Sequence, residues 1–178
     1  MSEEIGVKTR VNHMLQPRVD KVTVNIAVGK SGEPLDKATR ILKQLTGQEP
    51  CKRIAKKTVR DFGIRKGEPI ACMVTLRREK AIAFLKRTLQ AVDNKVSRNS
   101  FDKYGNFSFG IKSHIEIPGT KYAPELGIVG MDVSVFITRP GKRIKLRRRR
   151  TSNVGKKHML TSEITVPFVK ETLGVEIV

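Results

Sequence analysis

Basic side chains dominate residues 133–162, which contain no Asp or Glu. The centre of this stretch reads GKRIKLRRRR, and four consecutive arginines repel one another in water unless an anion neutralises them. A phosphate backbone is the partner that neutralises such a run most readily. A solvated charge run or a targeting tag is the simpler alternative. The basic residues of the stretch are Arg139, Lys142, Arg143, Lys145, Arg147, Arg148, Arg149, Arg150, Lys156 and Lys157.

The rest of the chain is basic as well. Its 178 residues include 36 Lys and Arg against 17 Asp and Glu, and without the ten residues above 26 basic residues still face 17 acidic ones. This excess predicts a nucleic-acid-binding protein. No linker or repeat divides the chain, so we predict one domain over residues 1–178 with a basic extension at about 139–158.

Enzymatic chemistry has little support in the sequence. His13, His114 and His158 lie in unrelated segments, and Cys51 and Cys72 form no CxxC pair. No metal-binding or paired-carboxylate motif is present. We therefore predict no catalytic residues, no metal and no cofactor.

A phosphate-binding loop is suggested by Gly29, Lys30 and Ser31. The Walker pattern requires a glycine five residues before Gly29, and Val24 occupies that position inside a predicted strand. We interpret this segment as a plain turn that carries a positive charge.

The compartment follows from cysteine use and from hydropathy. Two cysteines without a disulfide pattern favour a reduced, intracellular setting. The amino-terminal MSEEIGVKTR is polar, unlike a signal peptide, and no apolar run approaches the roughly 20 residues of a membrane span. We predict a cytoplasmic protein that does not enter membranes.

Alternating apolar residues, the pattern of a half-buried strand, occur in four segments. A shorter strand is predicted at CKRI, followed by an exposed loop. The inward residues of the four segments are Val22, Val24, Ile26 and Val28; Ile70, Cys72, Val74 and Leu76; Ile111, Ser113, Ile115 and Ile117; and Met131, Val133, Val135 and Ile137.

Apolar residues at helical spacing predict three main helices. The first contains Leu35, Ala38, Leu42 and Leu45 and ends at Gly47. The second spans 79–96, with an apolar stripe of Ile82, Leu85, Leu89, Val92 and Val96. The third lies near 168–173, because Pro167 fits only the first turn of a helix. A further short helix is predicted within the first 15 residues.

This order of elements predicts an α+β fold, a largely antiparallel sheet with helices packed on one face and the other face open. The open side is predicted to carry Lys21, Thr23, Asn25, Thr75, Arg77 and His114. Such a face is either solvated or docked on something polar and anionic. Phe136 is the one aromatic candidate there, so we do not expect the sheet to recognise RNA by stacking bases on aromatic side chains. Amides, hydroxyls and cations suit the sugars and phosphates of structured RNA.

Four motifs in the chain resemble the large-subunit ribosomal protein L-five family, which binds 5S rRNA. They are KVTVNIAVG, the helix ending in LTGQEP, FGIRKGEPIACMVTLR and SFDKYGNFSFGI. They occur in the family's order and spacing over residues 18–117, and the closing GVEIV also fits. The basic insertion resembles the archaeal and eukaryotic branch of the family more than the bacterial one.

The resemblance implies a structural constituent of the large ribosomal subunit. Members of the family bind 5S rRNA and attach it to the large rRNA in the central protuberance. The resemblance also implies a loop that approaches the P-site tRNA and a bridge to the small-subunit head through ribosomal protein S-thirteen. It further implies a neighbouring 5S-binding protein, L-eighteen, and a monomer within the ribosome.

The resemblance also assigns site residues. It gives sheet-face contacts with 5S rRNA to Asn25, Gln48 and Thr75, and it assigns the tRNA-facing loop to Gly63, Ile64, Arg65, Lys66 and Gly67. Gly105 and Asn106 match the family's GN turn, with Asn106 assigned to RNA. Position and charge add Lys21, Lys30, Lys52 and Arg77 for 5S rRNA, and Thr23 is added from the polar face of the sheet. The charge of the basic stretch, rather than the resemblance, assigns other rRNA phosphates to Lys142, Arg143, Lys145, Arg147, Arg148, Arg149 and Arg150.

Two other classes of protein stay open at this point. A free-standing RNA-binding or RNA-chaperone protein would share the charge but would not sediment with large subunits. An enzyme acting on RNA would need a carboxylate cluster or an activated nucleophile on the basic face.

Overall fold

The computed structural model describes residues 12–120 and 123–178. In chain order the elements are β1 (Arg18–Ala27), α1 (Glu33–Thr46), β2 (Cys51–Ile54), β3 (Pro69–Arg77), α2 (Arg78–Gln90), β4 (Lys95–Val96), β5 (Phe107–Ile111), β6 (Met131–Thr138), α3 (Arg143–Leu146), α4 (Ser162–Leu173) and β7 (Glu176–Ile177). Five strands form the main sheet in the order β2-β3-β1-β6-β5, and every neighbouring pair is antiparallel. The predicted α+β class is confirmed.

Strand β1 occupies the centre of the main sheet and shows the predicted alternation. Val22, Val24 and Ile26 are fully buried, whereas Lys21 and Thr23 are only partly covered. The buried side faces α1 and α2, which pack on β1 and β3. Alternation therefore separates a core side of the sheet from a polar side.

Helix α1 follows its predicted pattern closely. Its carboxyl end is closed by Gly47, which adopts a φ of 65° and donates its N–H to the carbonyl of Lys43 at 2.8 Å. A left-handed residue at this position favours glycine. The residues of α1 that bury against the sheet are Leu35, Ala38, Ile41, Leu42 and Leu45.

Helix α2 is shorter than the predicted span of 79–96. It ends at Gln90, and Asp93 and Asn94 adopt φ values of 52° and 55° that do not continue a right-handed helix. Val96 instead lies in β4, which pairs in parallel with β7. Ile82, predicted on the apolar stripe, is 39% exposed.

The predicted strand over 111–117 is wrong beyond Ile111. A 3-10 turn follows β5, and the hydroxyl of Ser113 caps it by accepting the N–H of Ile115 at 3.2 Å. This turn carries His114 into the interior, where the side chain is 3% exposed and its Nδ1 accepts the N–H of Val129 at 3.4 Å. His114 is therefore absent from the open side of the sheet, where it was predicted.

Helix α4 begins well before the predicted start at 168. Pro167 lies inside the helix, and its missing N–H leaves the carbonyl of Glu163 without a helical partner. Both residues are exposed, so water can satisfy that carbonyl. The buried residues Thr165, Val169 and Leu173 recur every four positions and hold the helix on the core.

Most of the helix predicted within the first 15 residues lies outside the described residues. Its described end is a 3-10 turn at His13–Leu15, capped by the side chain of Asn12, which accepts the N–H of Met14 at 3.0 Å. Within the described ranges, no helix has the length and apolar character that a membrane span requires.

Candidate RNA interface

The side of the main sheet that faces away from α1 and α2 is a polar surface, here called the open face. Its residues alternate with the buried ones along each strand, so the strand register decides which of them are neighbours. The open face consists of Cys51 and Arg53 of β2; Ala71, Met73, Thr75 and Arg77 of β3; Lys21, Thr23, Asn25 and Ala27 of β1; Asp132, Ser134 and Phe136 of β6; and Ser108 and Gly110 of β5.

Four hydroxyl groups form one row across the open face. The register pairs Thr75 with Thr23, Thr23 with Ser134, and Ser134 with Ser108. Neighbouring strands lie about 4.8 Å apart, so the row spans about 14 Å. Each hydroxyl both donates and accepts, which suits ribose hydroxyls and phosphate oxygens. The sequence alone indicated the two threonines but not the two serines, because their place depends on long-range register.

Asn25 lies in the next row, between Met73 and Asp132. Asp132 is exposed, and its carboxylate repels phosphate. The same carboxylate accepts hydrogen bonds from hydroxyl or amino groups. This part of the open face is therefore suited to hydrogen bonding rather than to charge neutralisation.

Positive charge gathers at the opposite end of the open face. The Nζ of Lys21 lies 5.3 Å from the ring centroid of Phe136, and the Nζ of Lys142 lies 3.5 Å from it. Burial lowers the pKa of Lys142 below its ordinary value. Arg77 Nη1 is 3.8 Å from Asp20 Oδ2, a long surface ion pair. The open face is thus uncharged along its hydroxyl row, with Lys21 and Arg77 on one side of that row and with Asp132 and Arg53 on the other.

Three predicted contacts lie away from the open face. Lys52 pairs with the buried Cys72, so its side chain lies on the helix side, where its Nζ is 2.8 Å from Asp36 Oδ1. That contact lowers the pKa of Asp36. Gln48 lies in the connection from α1 to β2, so its predicted place on the sheet is wrong. Lys30 is exposed in the turn between β1 and α1.

The residues predicted to face tRNA form the returning side of a hairpin over residues 55–68. Val59 and Ile64 bridge its two sides, and the N–H of Lys66 donates to the hydroxyl of Thr58 at 3.0 Å. The base of the hairpin is closed by the N–H of Ala55, which donates to the carbonyl of Glu68 at 2.8 Å. Its exposed cations are Lys56, Lys57, Arg60, Arg65 and Lys66.

A carboxylate fastens this hairpin to the rest of the protein. Glu68 accepts hydrogen bonds from the hydroxyl of Ser31 and from the N–H of Arg65, the latter at 3.0 Å. These two bonds lower the pKa of Glu68. At the tip, Phe62 is 74% exposed, an aromatic residue that the sequence patterns did not single out.

The predicted basic extension at 139–158 is a closed loop, here called the basic loop. The Nε of Arg139 donates to the carbonyl of Leu15 at 2.7 Å, and its Nη1 donates to that of Lys157 at 3.3 Å. The Nε2 of His158 donates to the carbonyl of Pro140 at 2.8 Å. Within the loop, the exposed cations are Arg143, Lys145, Arg147, Arg148, Arg149, Arg150, Lys156 and Lys157.

The GN turn is engaged in contacts within the protein. Asn106 donates its Nδ2 to Asp102 Oδ2 at 2.8 Å, and its Oδ1 accepts the N–H of Ile137 at 3.1 Å. Gly105 has a φ of 76°, and a Cβ there would overlap the side chain of Thr165. The turn thus joins β6 to α4, and an RNA contact by Asn106 stays a prediction.

The three histidines lie apart from one another in the folded chain. His13 bonds Gln16, His114 is buried, and His158 closes the basic loop. Among residues 12–120 and 123–178, no three His, Cys, Asp or Glu side chains are grouped so that they could hold a metal ion.

Two models of known protein families together match most of the chain, including every strand of the main sheet. The family model of ribosomal protein L5 matches residues 12–65, and the model of the carboxyl-terminal part of the same ribosomal protein family matches residues 69–168. The chain belongs to the ribosomal protein L5 family. The resemblance inferred from the four motifs is confirmed.

Relatives within this family have similar lengths. A protein of Pyrobaculum aerophilum is 57% identical over 159 residues, 89% of each chain. One of Aeropyrum pernix is 53% identical over 166 residues, 93% of this chain and 86% of the relative. One of Sulfurisphaera tokodaii is 50% identical over 169 residues, 94% of this chain and 96% of the relative. All three are named large ribosomal subunit protein uL5 and come from archaea, as the basic insertion suggested.

Proposed function

We propose that this chain is a structural constituent of the large ribosomal subunit that binds 5S rRNA through its open face. The row of four hydroxyls beside Asn25 is the observation that carries the proposal. Family membership and the names of the relatives support the ribosomal setting.

Recognition on this surface is by shape. The wide, shallow minor groove of A-form RNA displays ribose hydroxyls and base edges. A sheet row of hydroxyls and an amide meets such groups with fixed spacing. Lys21 and Arg77, which form the neighbouring row across β1 and β3, contact phosphates and set the orientation of the RNA.

The basic loop attaches this complex to the large rRNA. Its cations project outward from a closed base, so they meet a second RNA surface without distorting the sheet. Four adjacent arginines at 147–150 supply most of the local charge. This attachment is electrostatic and therefore depends on salt.

The hairpin over residues 55–68 approaches the P-site tRNA. Its five exposed cations and the exposed ring of Phe62 support this role, because stacking and phosphate contact are the usual ways to hold an RNA surface. The bridge to S-thirteen and the contact with L-eighteen rest on the family alone.

The open face is tested with Asn25→Ala and Thr75→Val. Each variant should weaken 5S rRNA binding by about 1–3 kcal/mol, because each strands a hydrogen-bond partner at a polar interface. Titrations compare 5S rRNA with an unrelated structured RNA of equal length. Gln44→Ala, which removes an exposed amide from α1 on the other side of the sheet, is the matched control.

Two results would count against this proposal. One is unchanged 5S rRNA affinity in both variants, which removes the open face from recognition. The other is a wild-type chain with no preference for 5S rRNA. Co-sedimentation with large subunits separates a ribosomal constituent from a free-standing RNA-binding protein.

A further inference from the structure

A cleft of about 180 Å³ lies between the carboxyl end of β6 and the basic loop. Phe136 lines it from the open face, and Tyr104 lines it from the loop before β5. Lys142, Lys145 and Met159 line it from the basic loop and its end. The cleft thus combines two aromatic rings with two ammonium groups.

Two lysine ammonium groups lie over the ring of Phe136. Lys142 Nζ lies 3.5 Å from the ring centroid and Lys21 Nζ lies 5.3 Å from it. None of the ion pairs among the described residues involves Lys21, Lys142 or Lys145. Lys21 and Lys142 therefore meet an aromatic face rather than a carboxylate.

The two carboxylates whose charge acts on Lys142 have other partners. Asp20 lies 3.8 Å from Arg77, and Asp102 accepts hydrogen bonds from Asn106 through both of its oxygens. The positive charge of the cleft is therefore left for a ligand.

Most other polar groups of the lining are engaged within the protein. Arg139 and His158 bond backbone carbonyls of the basic loop and its surroundings. The hydroxyl of Thr138 donates to the carbonyl of Arg139 at 3.2 Å. The groups left to meet a ligand are two aromatic rings and two lysines. An aromatic face beside ammonium groups fits a nucleobase and its phosphate.

The cleft is continuous with the open face. Phe136 and Asn106 also border a shallow depression that contains Lys21, Thr23 and Ser134. A strand of RNA lying on the hydroxyl row therefore reaches the cleft without leaving the surface. An acidic side chain of a neighbouring protein would neutralise the lysines but would leave the rings without a stacking partner.

We propose that this cleft holds one unpaired nucleobase of the 5S rRNA, stacked on Phe136 beside Tyr104, with its phosphate on Lys142. The proposal rests on the proposed function, because it assumes that 5S rRNA lies on the open face. On binding, the ammonium of Lys142 moves from the ring to the phosphate. The cleft recognises a single unstacked nucleotide, whereas the hydroxyl row recognises the shape of the folded RNA.

The test compares Phe136→Leu with Phe136→Tyr in the full chain. Leucine keeps apolar volume without an aromatic face, and it should weaken 5S rRNA binding about 5- to 150-fold, the range for one base stack. Tyrosine should bind as the wild type does. The salt dependence of Phe136→Leu should stay unchanged, and Lys142→Gln should lower the slope by about 0.7–0.9, as for one phosphate contact.

A second measurement does not depend on the stability of the variants. 5S rRNA containing 4-thiouridine is cross-linked by light to the wild-type protein, and the peptide containing Phe136 should carry an unpaired nucleotide. No cross-link at this peptide, or a cross-link to paired nucleotides, would overturn the proposal. So would normal binding by Phe136→Leu while Asn25→Ala binds weakly, a result that leaves the proposed function intact and points to a protein ligand. A wild-type chain without preference for 5S rRNA would refute the proposed function and this proposal together.

Discussion

The open face and the basic loop are both candidate RNA-binding surfaces, but they are built in opposite ways. On the open face, strand register fixes each side chain, and the middle row carries hydroxyls without charge. In the basic loop, backbone carbonyls at the base hold the chain, and the cations project outward. Fixed uncharged groups discriminate between partners, whereas projecting charges attract any phosphate. The difference suggests that selectivity and attraction occupy separate parts of the molecule.

The largest expected effect is on the free energy of unfolding, and it comes from disrupting the turn at Gly105 that contacts α4. Gly105→Ala forces a Cβ into the side chain of Thr165 at a φ of 76°. Because this turn joins β6 to α4, we expect the free energy of unfolding to fall by about 2–5 kcal/mol. Denaturant titration followed by circular dichroism measures this decrease.

Gly63→Ala is the matched control for the Gly105 variant. Gly63 has a φ of 65°, but a Cβ there meets nothing within 4 Å. It should therefore cost only the backbone strain, about 1–2 kcal/mol. Equal decreases in the two variants would show that the overlap with Thr165 contributes nothing.

The next largest effect separates the electrostatic attraction of RNA from the preference for 5S rRNA. Changing Arg147, Arg148, Arg149 and Arg150 to Gln should lower the slope of log affinity against log salt by up to about 0.9 for each phosphate that these arginines neutralise in the wild type. The preference for 5S rRNA over an unrelated structured RNA should survive. Filter binding at several salt concentrations measures both quantities.

Four lysines at the same positions provide the control, because they keep the charge. They should retain most of the salt dependence. If the glutamine variant loses its preference for 5S rRNA, the division of labour between the two surfaces is wrong. An unchanged slope would show that these arginines do not touch the RNA in that assay.

The smallest expected effect is a pH dependence of local stability, which should appear in the hairpin over residues 55–68 but not in the basic loop. The lowered pKa of Glu68 means that its bonds to Ser31 and Arg65 stabilise the hairpin fully above the ordinary pKa of a glutamate. That contribution disappears as the pH falls through the lowered pKa. The basic loop is fastened by carbonyl acceptors and should not respond.

Hydrogen exchange of the Arg65 amide measures this effect. Glu68→Gln should exchange faster than wild type at neutral pH, and the two proteins should converge in acid, where Glu68 is protonated. The amide of Ser152, which bonds the carbonyl of Ile144 inside the basic loop, serves as the internal control. A difference at Arg65 that persists in strong acid would contradict the role of the carboxylate.

Sequence patterns predicted the parts of the fold that depend on local burial. Val22, Val24 and Ile26 alternate because one side of β1 meets the helices, and α1 shows its buried stripe just as directly. Placing Thr23 and Thr75 on one polar face needed nothing beyond this alternation. The family motifs added the hairpin and the GN turn as candidate sites.

Features that depend on distant contacts could not be predicted in this way. His114 looks like an outward strand residue until Ser113 caps the turn that buries it. Lys52 looks like a free phosphate ligand until Asp36 is placed 2.8 Å from it. Pro167 appeared to exclude a longer helix, but the burial of Thr165 and Val169 outweighs one missing hydrogen bond.

The closed base of the basic loop has a consequence for how such proteins diversify. Arg139 and His158 join residues that are eighteen apart in sequence, so the chain leaves β6 and returns toward α4 at nearly the same point. A segment of another length or composition can be spliced between them as a cassette, and the register of β6 does not change. Grafting a foreign loop at this junction offers a way to redirect the protein to a different RNA while the sheet keeps its own.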